Sequence, residues 1–254
     1  MVNNTLDPVS TTMLSFDIIE YIHSQNGATI TDVANDMDLV KSTAHRHLST
    51  LRSAGWLVRE GTTFYLSIRF LALGKQAQNR KPEYEIVKPR VSHIAAETGE
   101  RSQFIVEENG SGVYVHTALG EHAVRTDSGE GKQVPLNTIS AGKAILSQMP
   151  ESRVVEIIDS GKFAKNTKNT ITDKGKIFQE INKIRELGYA VNEGESTEGL
   201  RAVSVPVTAP DGGILGALGV SGPARRMNPE RIENDIVDLL LGVVNEIELD
   251  IEYV

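Results

Sequence analysis

ATITDVANDMDLVKSTAHRHLSTLRSAGWLVREGTTFYLSIR, residues 28–69, carries three different patterns in succession. Thr29 and Thr31 open a short polar–apolar segment, and Asp38, Leu39 and Val40 make a tight turn. The run KSTAHRHLSTLRSAG then reads as a second helix, stopped by Gly55. Ala44, Leu48 and Leu51 recur at i, i+4 and i+7, the stripe that a helix buries. Ser42, His45, Arg46 and Ser49 recur at helical spacing on another face, so four hydrogen-bonding side chains point outward together. After Gly55, WLVRE and FYLSIRF are β-prone runs separated by Gly61, Thr62 and Thr63, which predicts a hairpin. Helix, turn, polar-faced helix and hairpin is the order of a winged helix-turn-helix, a fold that lays its second helix in the major groove of DNA.

Charge follows the same boundary. Residues 1–40 hold six acids and no Lys or Arg, whereas residues 41–81 hold eight bases (Lys41, Arg46, Arg52, Arg59, Arg69, Lys75, Arg80, Lys81) against Glu60 alone. The whole chain of 254 residues is net −8. With −6 in the first stretch and +7 in the second, the remainder carries −9. An acidic protein whose one basic segment coincides with a candidate recognition helix and wing has a localised footprint for phosphates. A solvated basic face would explain the charge alone; its coincidence with the motif favours DNA.

The length allows two domains, each with its own core. Apolar residues make up 39% and charged residues 24%, the balance of an ordinary soluble protein, and no run approaches the ~20 apolar residues of a membrane span. The start, MVNNTLDPVSTTM, lacks the basic and apolar regions of a signal peptide, so a cytoplasmic location and no membrane partner are expected. Cysteine is absent, which excludes disulfides, Cys-ligated zinc and thiol catalysis.

Before the organising stretch, a helix after Thr11 and Thr12 puts Leu14, Ile18, Ile19 and Ile22 on one face and ends at Gly27. Trp56 reads as a core anchor, and residues 70–81 as a linker helix ending before Pro82. Beyond it the composition turns acidic and mixed. A helix over 83–97 is followed by a hairpin around Asn109, Gly110, Ser111 and Gly112. VPLNTISAGKAILSQMP is a strand entering a helix near Ser140, and Thr172 or Asp173 opens a longer helix closed by Gly188. Three strand-like segments follow, YAVNE, RAVSVPVTA and GILGALGVSGP, the last two joined by a turn over 210–213. Asn228 and Pro229 start a final helix. The expected fold class is α+β.

Several stretches together resemble the IclR-type transcriptional regulators. KSTAHRHLSTLRSAGWL is similar to that family's recognition helix and wing entry, and YLSIRFLALG to its wing exit and linker. LNTISAGKAIL resembles its strongest effector-domain signature; GYAVNEGESTEGLRAVSVPV and GALGVSGPARRM resemble the second half of that domain. The resemblance implies an N-terminal winged helix-turn-helix domain (8–69), a linker helix (70–81) and a GAF-like effector-binding domain with a central antiparallel sheet (82–254). It implies a homodimer or homotetramer on a palindromic operator, whose binding a small carboxylic or aromatic acid modulates. DNA contacts are expected from Thr31, Lys41, Ser42, Thr43, His45, Arg46, Ser49, Arg59, Thr62 and Thr63. The family's pocket positions fall on Ser140, Ala141, Gly142, Asn192, Leu200, Ala202, Gly219 and Ser221. Family members often carry an acid, a Cys and a Ser where this chain has Asn192, Ala202 and Gly219. That departure points to a roomier, less polar pocket and a larger or more apolar acid, its carboxylate on the first amides of the helix at Ser140.

Competing motifs fall away on spacing. A phosphate-binding P-loop would need Gly where Asn137 stands and Ser or Thr where Ala144 stands. Lys143 reads as a solvated helix residue, and the pairs Glu107/Glu108 and Glu193/Glu195 as solvated strand ends. Gly213, Gly216 and Gly219 lie in one strand with no helix after it, so they permit close backbone approach instead of forming a dinucleotide fingerprint. His45 and His47 face apart on a helix, and no histidine has metal-ligand spacing; neither metal nor cofactor is expected. No nucleophile elbow or base–nucleophile set argues for an enzyme, and the basic excess over 41–81 argues against a purely protein-binding winged helix.

Overall fold

The structure, a computed structural model, describes residues 7–125 and 129–253. The chain divides into two compact units, one reaching to Ala77 and the other starting at Gln78.

The first unit contains α1 (Ser10–Ser24), β1 (Ala28–Thr29), α2 (Ile30–Asp36), α3 (Lys41–Ser53), β2 (Leu57–Glu60), β3 (Thr63–Leu66) and most of α4 (Phe70–Gln78). Helix α2 begins with a capping box. The Thr29 hydroxyl accepts from the Asp32 amide at 3.2 Å, and the Asp32 carboxylate accepts from the Thr29 amide at 2.9 Å. Asp38, at φ 52°, turns the chain into α3, a left-handed conformation that Asp tolerates. Ala44, Leu48 and Leu51 are buried with Ile18, Ile22, Val33, Leu57 and Phe64, so the helical stripe faces the core. The wing turn is two residues, Gly61 and Thr62; Thr63 is already strand, opposite Glu60 in β2 and Thr29 in β1. The sheet order β1-β3-β2 includes a two-residue strand too short for any periodicity to register. Helix α1 starts at Ser10, three residues ahead of expectation, and ends at Ser24.

The second unit runs α5 (Pro82–Thr98), β4 (Arg101–Glu108), β5 (Ser111–Leu119), β6 (Gln133–Pro135), a 3₁₀ turn (Leu136–Thr138), α6 (Ser140–Ser147), α7 (Glu151–Asp159), α8 (Lys174–Leu187), β7 (Ala190–Glu193), β8 (Leu200–Thr208) and β9 (Ile214–Pro223). It ends in α9 (Pro229–Arg231), a π-helical turn (Ile232–Ile236) and α10 (Val237–Glu252). Six antiparallel strands lie in the order β6-β5-β4-β9-β8-β7. Successive strand residues serve opposite faces. Phe104, Val106 and Leu218 pack with Val91 and Ile94 of α5 and Leu240 and Val244 of α10. Ile105 and Ala217 pack with Ile145 and Leu146 of α6 and Ile181 and Ile184 of α8. Both faces of the central strands are therefore covered by helices.

Local signals set the punctuation here. Asn109 (φ 52°) and Gly110 (φ 81°) form the two-residue hairpin turn, shorter than the four-residue one expected. Asp173 caps α8 and Asn228 caps α9 by accepting from the amides of Lys176 and Arg231. Helix α7, absent from the sequence reading, buries only Val154 and Ile157, a stripe too short to stand out. Among the described residues no helix is long and apolar enough to cross a membrane.

Candidate functional site

Each unit holds one candidate site. Because Ala44, Leu48 and Leu51 anchor α3 inward, Lys41, Ser42, His45 and Arg46 stand exposed on its outer side, with Thr43 and Ser49 half-buried beside them. Thr31 is exposed on α2. No acid occurs in α3. Its position is held from three sides. Ser15 of α1 bonds His47 at 2.9 Å, and Arg69 donates to the Ala54 carbonyl at 2.9 Å while lying 4.3 Å over the Trp56 ring. Trp56 in turn meets Phe70, with ring centroids 5.1 Å apart. On the wing, Thr62 is exposed at the tip and Thr63 half-buried. Arg59 donates its Nε to the Gly61 carbonyl at 2.9 Å and stacks over Phe64, so part of this cation shapes the wing itself. Between α1, α3 and α4 lies a groove of about 600 Å³ walled by Phe16, Ile19, Leu51, Trp56, Phe70 and Leu73, with Arg46 also in its wall.

In the second unit, a cavity of about 70 Å³ brings together Ser140, Ala141, Asn192, Leu200, Ala202 and Ser221. Gly142 and Gly219 do not line it. A Cβ on Gly142 would sit 2.1 Å from the Leu136 carbonyl oxygen, so this glycine serves the packing of α6 on the preceding turn. A Cβ on Gly219 would sit 2.1 Å from Ser204 Oγ, which bonds Ser140 Oγ at 2.8 Å. The space at Gly219 is filled by the Ser204 hydroxyl, so this glycine serves the packing of β9 on β8. Asn192 is buried with both ends engaged, donating to the Thr138 carbonyl and accepting from the Glu195 amide at 3.1 Å. Ser221 donates to Gln103 Oε1 at 3.2 Å.

The cavity also has walls that the sequence reading missed: Arg101, Gln103 and Ile105 of β4, Tyr114 of β5, and Arg201 of β8. Arg101 is 4% exposed and its guanidinium lies 5.4 Å from the Tyr114 ring centroid. Burial pushes its pKa below the ordinary arginine range, with Tyr114 acting the other way. Arg201 pairs with Glu193 at 2.7 Å and donates to the Met227 carbonyl at 2.7 Å. Residues 101, 103 and 105 share one face by strand alternation. That signal is invisible in RSQFIV because both faces of the strand are buried.

Three charged side chains expected in solvent are buried or half-buried. Lys143 is buried, not solvated: its ammonium lies 2.8 Å from Glu195 and 3.1 Å from Glu180. Glu195 is likewise buried, and burial raises its carboxyl pKa more than Lys143 lowers it. Glu107 is half-buried, accepting from the Gly110 amide and Arg153. His116 is buried, with Nε2 2.7 Å from the Tyr84 carbonyl, and burial lowers its pKa. Among the described residues no group of His, Asp and Glu is placed to hold a metal ion.

A family model described as the bacterial transcriptional regulator IclR C-terminal domain matches residues 79–249, and one for the IclR helix-turn-helix domain matches residues 15–61. The chain is 25% identical to a Halobacterium salinarum protein named "Probable HTH-type transcriptional regulator ArcR", over 96% of this chain and 94% of that one. The crystal structure of the Thermotoga maritima IclR superposes with a TM-score of 0.77 at 26% identity, covering 95% of this chain and 98% of that one. An IclR homologue from Microbacterium hydrocarbonoxydans, solved with 4-hydroxybenzoate, has the same fold, with a TM-score of 0.76 at 20% identity and 90% and 92% coverage. Matched in its helix-turn-helix and throughout its effector domain, the protein belongs to the IclR family of DNA-binding transcriptional regulators and is not an enzyme.

Proposed function

We propose that the protein binds a palindromic operator as a homodimer or homotetramer, and that a small organic acid held in the second unit modulates this binding. The observation that carries the reading is the acid-free, exposed face of α3, set beside the wing in a chain that is otherwise acidic. On this reading 8–69 is the DNA-binding domain, 70–81 the linker helix and 82–254 the effector domain, working in the cytoplasm where the operator lies. Lys41, Ser42, Thr43, His45, Arg46 and Ser49 read bases and nearby phosphates, Thr31 and the wing residues Arg59, Thr62 and Thr63 hold the backbone, and Arg46 is the base reader because its fork matches a guanine edge. A single recognition helix reads too short a site for specificity. The apolar groove beside α3, with Phe16, Leu71 and Leu73 each about half exposed, supports pairing of two copies through α1 and α4. The acid reading is supported by the relative solved with 4-hydroxybenzoate and by the buried cation in this chain's own cavity.

Sequencing the genomic DNA that co-purifies with the protein, with and without candidate acids, tests both halves. The expected result is one enriched palindromic motif, depleted by an acid. Absence of an enriched motif removes the operator reading, and a motif indifferent to every acid removes the effector reading.

A further inference from the structure

Helix α4 begins in the first unit, and its last residue, Gln78, is the first of the second. That side chain is surrounded by acceptors. A bulge in β5 sets Val115 outside the ladder with β4, since Phe104 is opposite His116 and Ile105 opposite Tyr114. The Val115 carbonyl accepts instead from Gln78 Nε2 at 2.6 Å. The same nitrogen lies 3.2 Å from Glu130 Oε2 and 3.4 Å from His116 Nδ1. Glu130 is brought there by the turn into β6, where the Gly131 amide donates to the Tyr114 carbonyl at 2.8 Å. A carbonyl and a carboxylate only accept, so Gln78 has to face them with its NH2 group.

The same logic fixes the histidine. His116 is 2% exposed, with Nε2 2.7 Å from the Tyr84 carbonyl, so Nε2 carries the proton and Nδ1 offers its lone pair to Gln78. A second proton has to go on Nδ1. There it turns the ring from an acceptor into a donor that faces another donor, and Glu130 Oε1 stands ready to receive it at 3.8 Å. The charged groups around the ring are Glu130 before β6 and Glu85 and Lys88 on α5. Burial, aided by Lys88, outweighs the two carboxylates and the Tyr84 carbonyl and holds the ring below the ordinary histidine range. By linkage, an arrangement that takes up a proton reluctantly loses population as pH falls. We infer that His116, Gln78 and Glu130 form a proton-sensitive clamp on the end of α4. With neutral His116 the clamp is closed; a proton on Nδ1 draws Glu130 to the ring and releases Gln78. The hold of β5 on α4 then depends on pH without any bound acid.

The chain has no cysteine, so Ala77→Cys, at an exposed position of α4, carries a single spin label beside Gln78. Label mobility and the NMR titration of the His116 ring are followed on the full chain from pH ~8 to ~4.5. The label should be held at the upper end and loosen as pH falls, with the same midpoint as His116. Gln78→Ala should leave the label mobile at every pH and raise the His116 midpoint by about half a unit or more, because the opposing donor is gone. Glu130→Gln should lower that midpoint, because the carboxylate that favours the imidazolium is gone. Label mobility that stays constant through the His116 titration overturns the proposal in the otherwise unaltered chain, should either variant fail to fold. So does a His116 ring that takes up no proton over this range. A midpoint that Gln78→Ala leaves in place or lowers, or that Glu130→Gln leaves in place or raises, overturns it as well.

Discussion

Lys143 and Glu195 show how much a single residue's surroundings change its meaning. On a helix wheel Lys143 is one more polar position; in the fold it is a buried ammonium held between Glu195 and Glu180. Burial raises the Glu195 carboxyl above its ordinary range, so the folded protein holds that proton more tightly than the unfolded chain does. Stability from this group is therefore present at acid pH and lost as pH rises from the ordinary glutamate value through the raised one. Urea melts of wild type and Glu195→Gln across that window should show the variant lacking this downward component, so that its stability relative to wild type improves toward neutral pH. A difference between the two that does not vary with pH would contradict the raised carboxyl. Gly219 gives a second prediction. Its Cβ would meet Ser204 Oγ at 2.1 Å and the Val203 carbonyl at 2.8 Å, so Gly219→Ala should cost about 1–3 kcal/mol in thermal melts. Removing the hydroxyl with Ser204→Ala should recover only part of that loss, because the backbone oxygen remains.

At the scale of elements, α3 and α4 divide the work of the first unit. The outer face of α3 carries the side chains proposed for base contact, and Arg46→Ala should cost about 1–3 kcal/mol of operator affinity and relax selectivity at one position in each half-site. Fluorescence anisotropy with the operator and its single-base variants checks this; unchanged affinity and selectivity would take Arg46 out of that role. Helix α4 has no buried residue, yet Leu71 and Leu73 lie on it about half exposed. A charge at Leu73, in the wall of the apolar groove, should prevent the pairing proposed above. Light scattering should find the wild type at least dimeric at micromolar concentration and Leu73→Glu monomeric; a monomeric wild type would remove the two-fold reading.

For the whole molecule, regulation requires that ligand binding in one unit and operator binding in the other be separable by mutation and coupled only through the effector. Ser221→Ala removes a hydroxyl from the cavity wall and leaves α3 and the wing untouched. It should weaken effector binding by about 0.5–1.5 kcal/mol, the net value of one hydrogen bond, with operator affinity in the absence of effector unchanged. Ala202→Phe should abolish the response by filling the cavity, again without altering effector-free operator binding. Calorimetry paired with operator titration measures both quantities; loss of operator affinity in either variant before any effector is added would show that the units are not separable in this way.

What the sequence determined by itself is what short-range physics encodes. The 3.6-residue repeat of Ala44, Leu48 and Leu51 orients α3 because a helix can bury only one stripe. Asp173 and Asn228 mark helix starts because an N-terminal turn needs acceptors for its free amides, and Gly99 and Gly188 mark ends because only glycine enters the left-handed region without strain. The resemblance also named together Ser140, Ala141, Asn192, Leu200, Ala202 and Ser221, which line one cavity. What the tertiary structure alone decided is which distant groups meet. Strand β4 pairs with β9, bringing Gln103 to Ser221 across 118 residues, and α6 meets the turn after β7, joining Lys143 to Glu195 across 52. In central strands covered on both faces there is no polar–apolar alternation to show which side chains face a cavity. Arg101 therefore looks like an ordinary surface cation until the sheet closes around it, and Gly219 looks like open space until Ser204 occupies it.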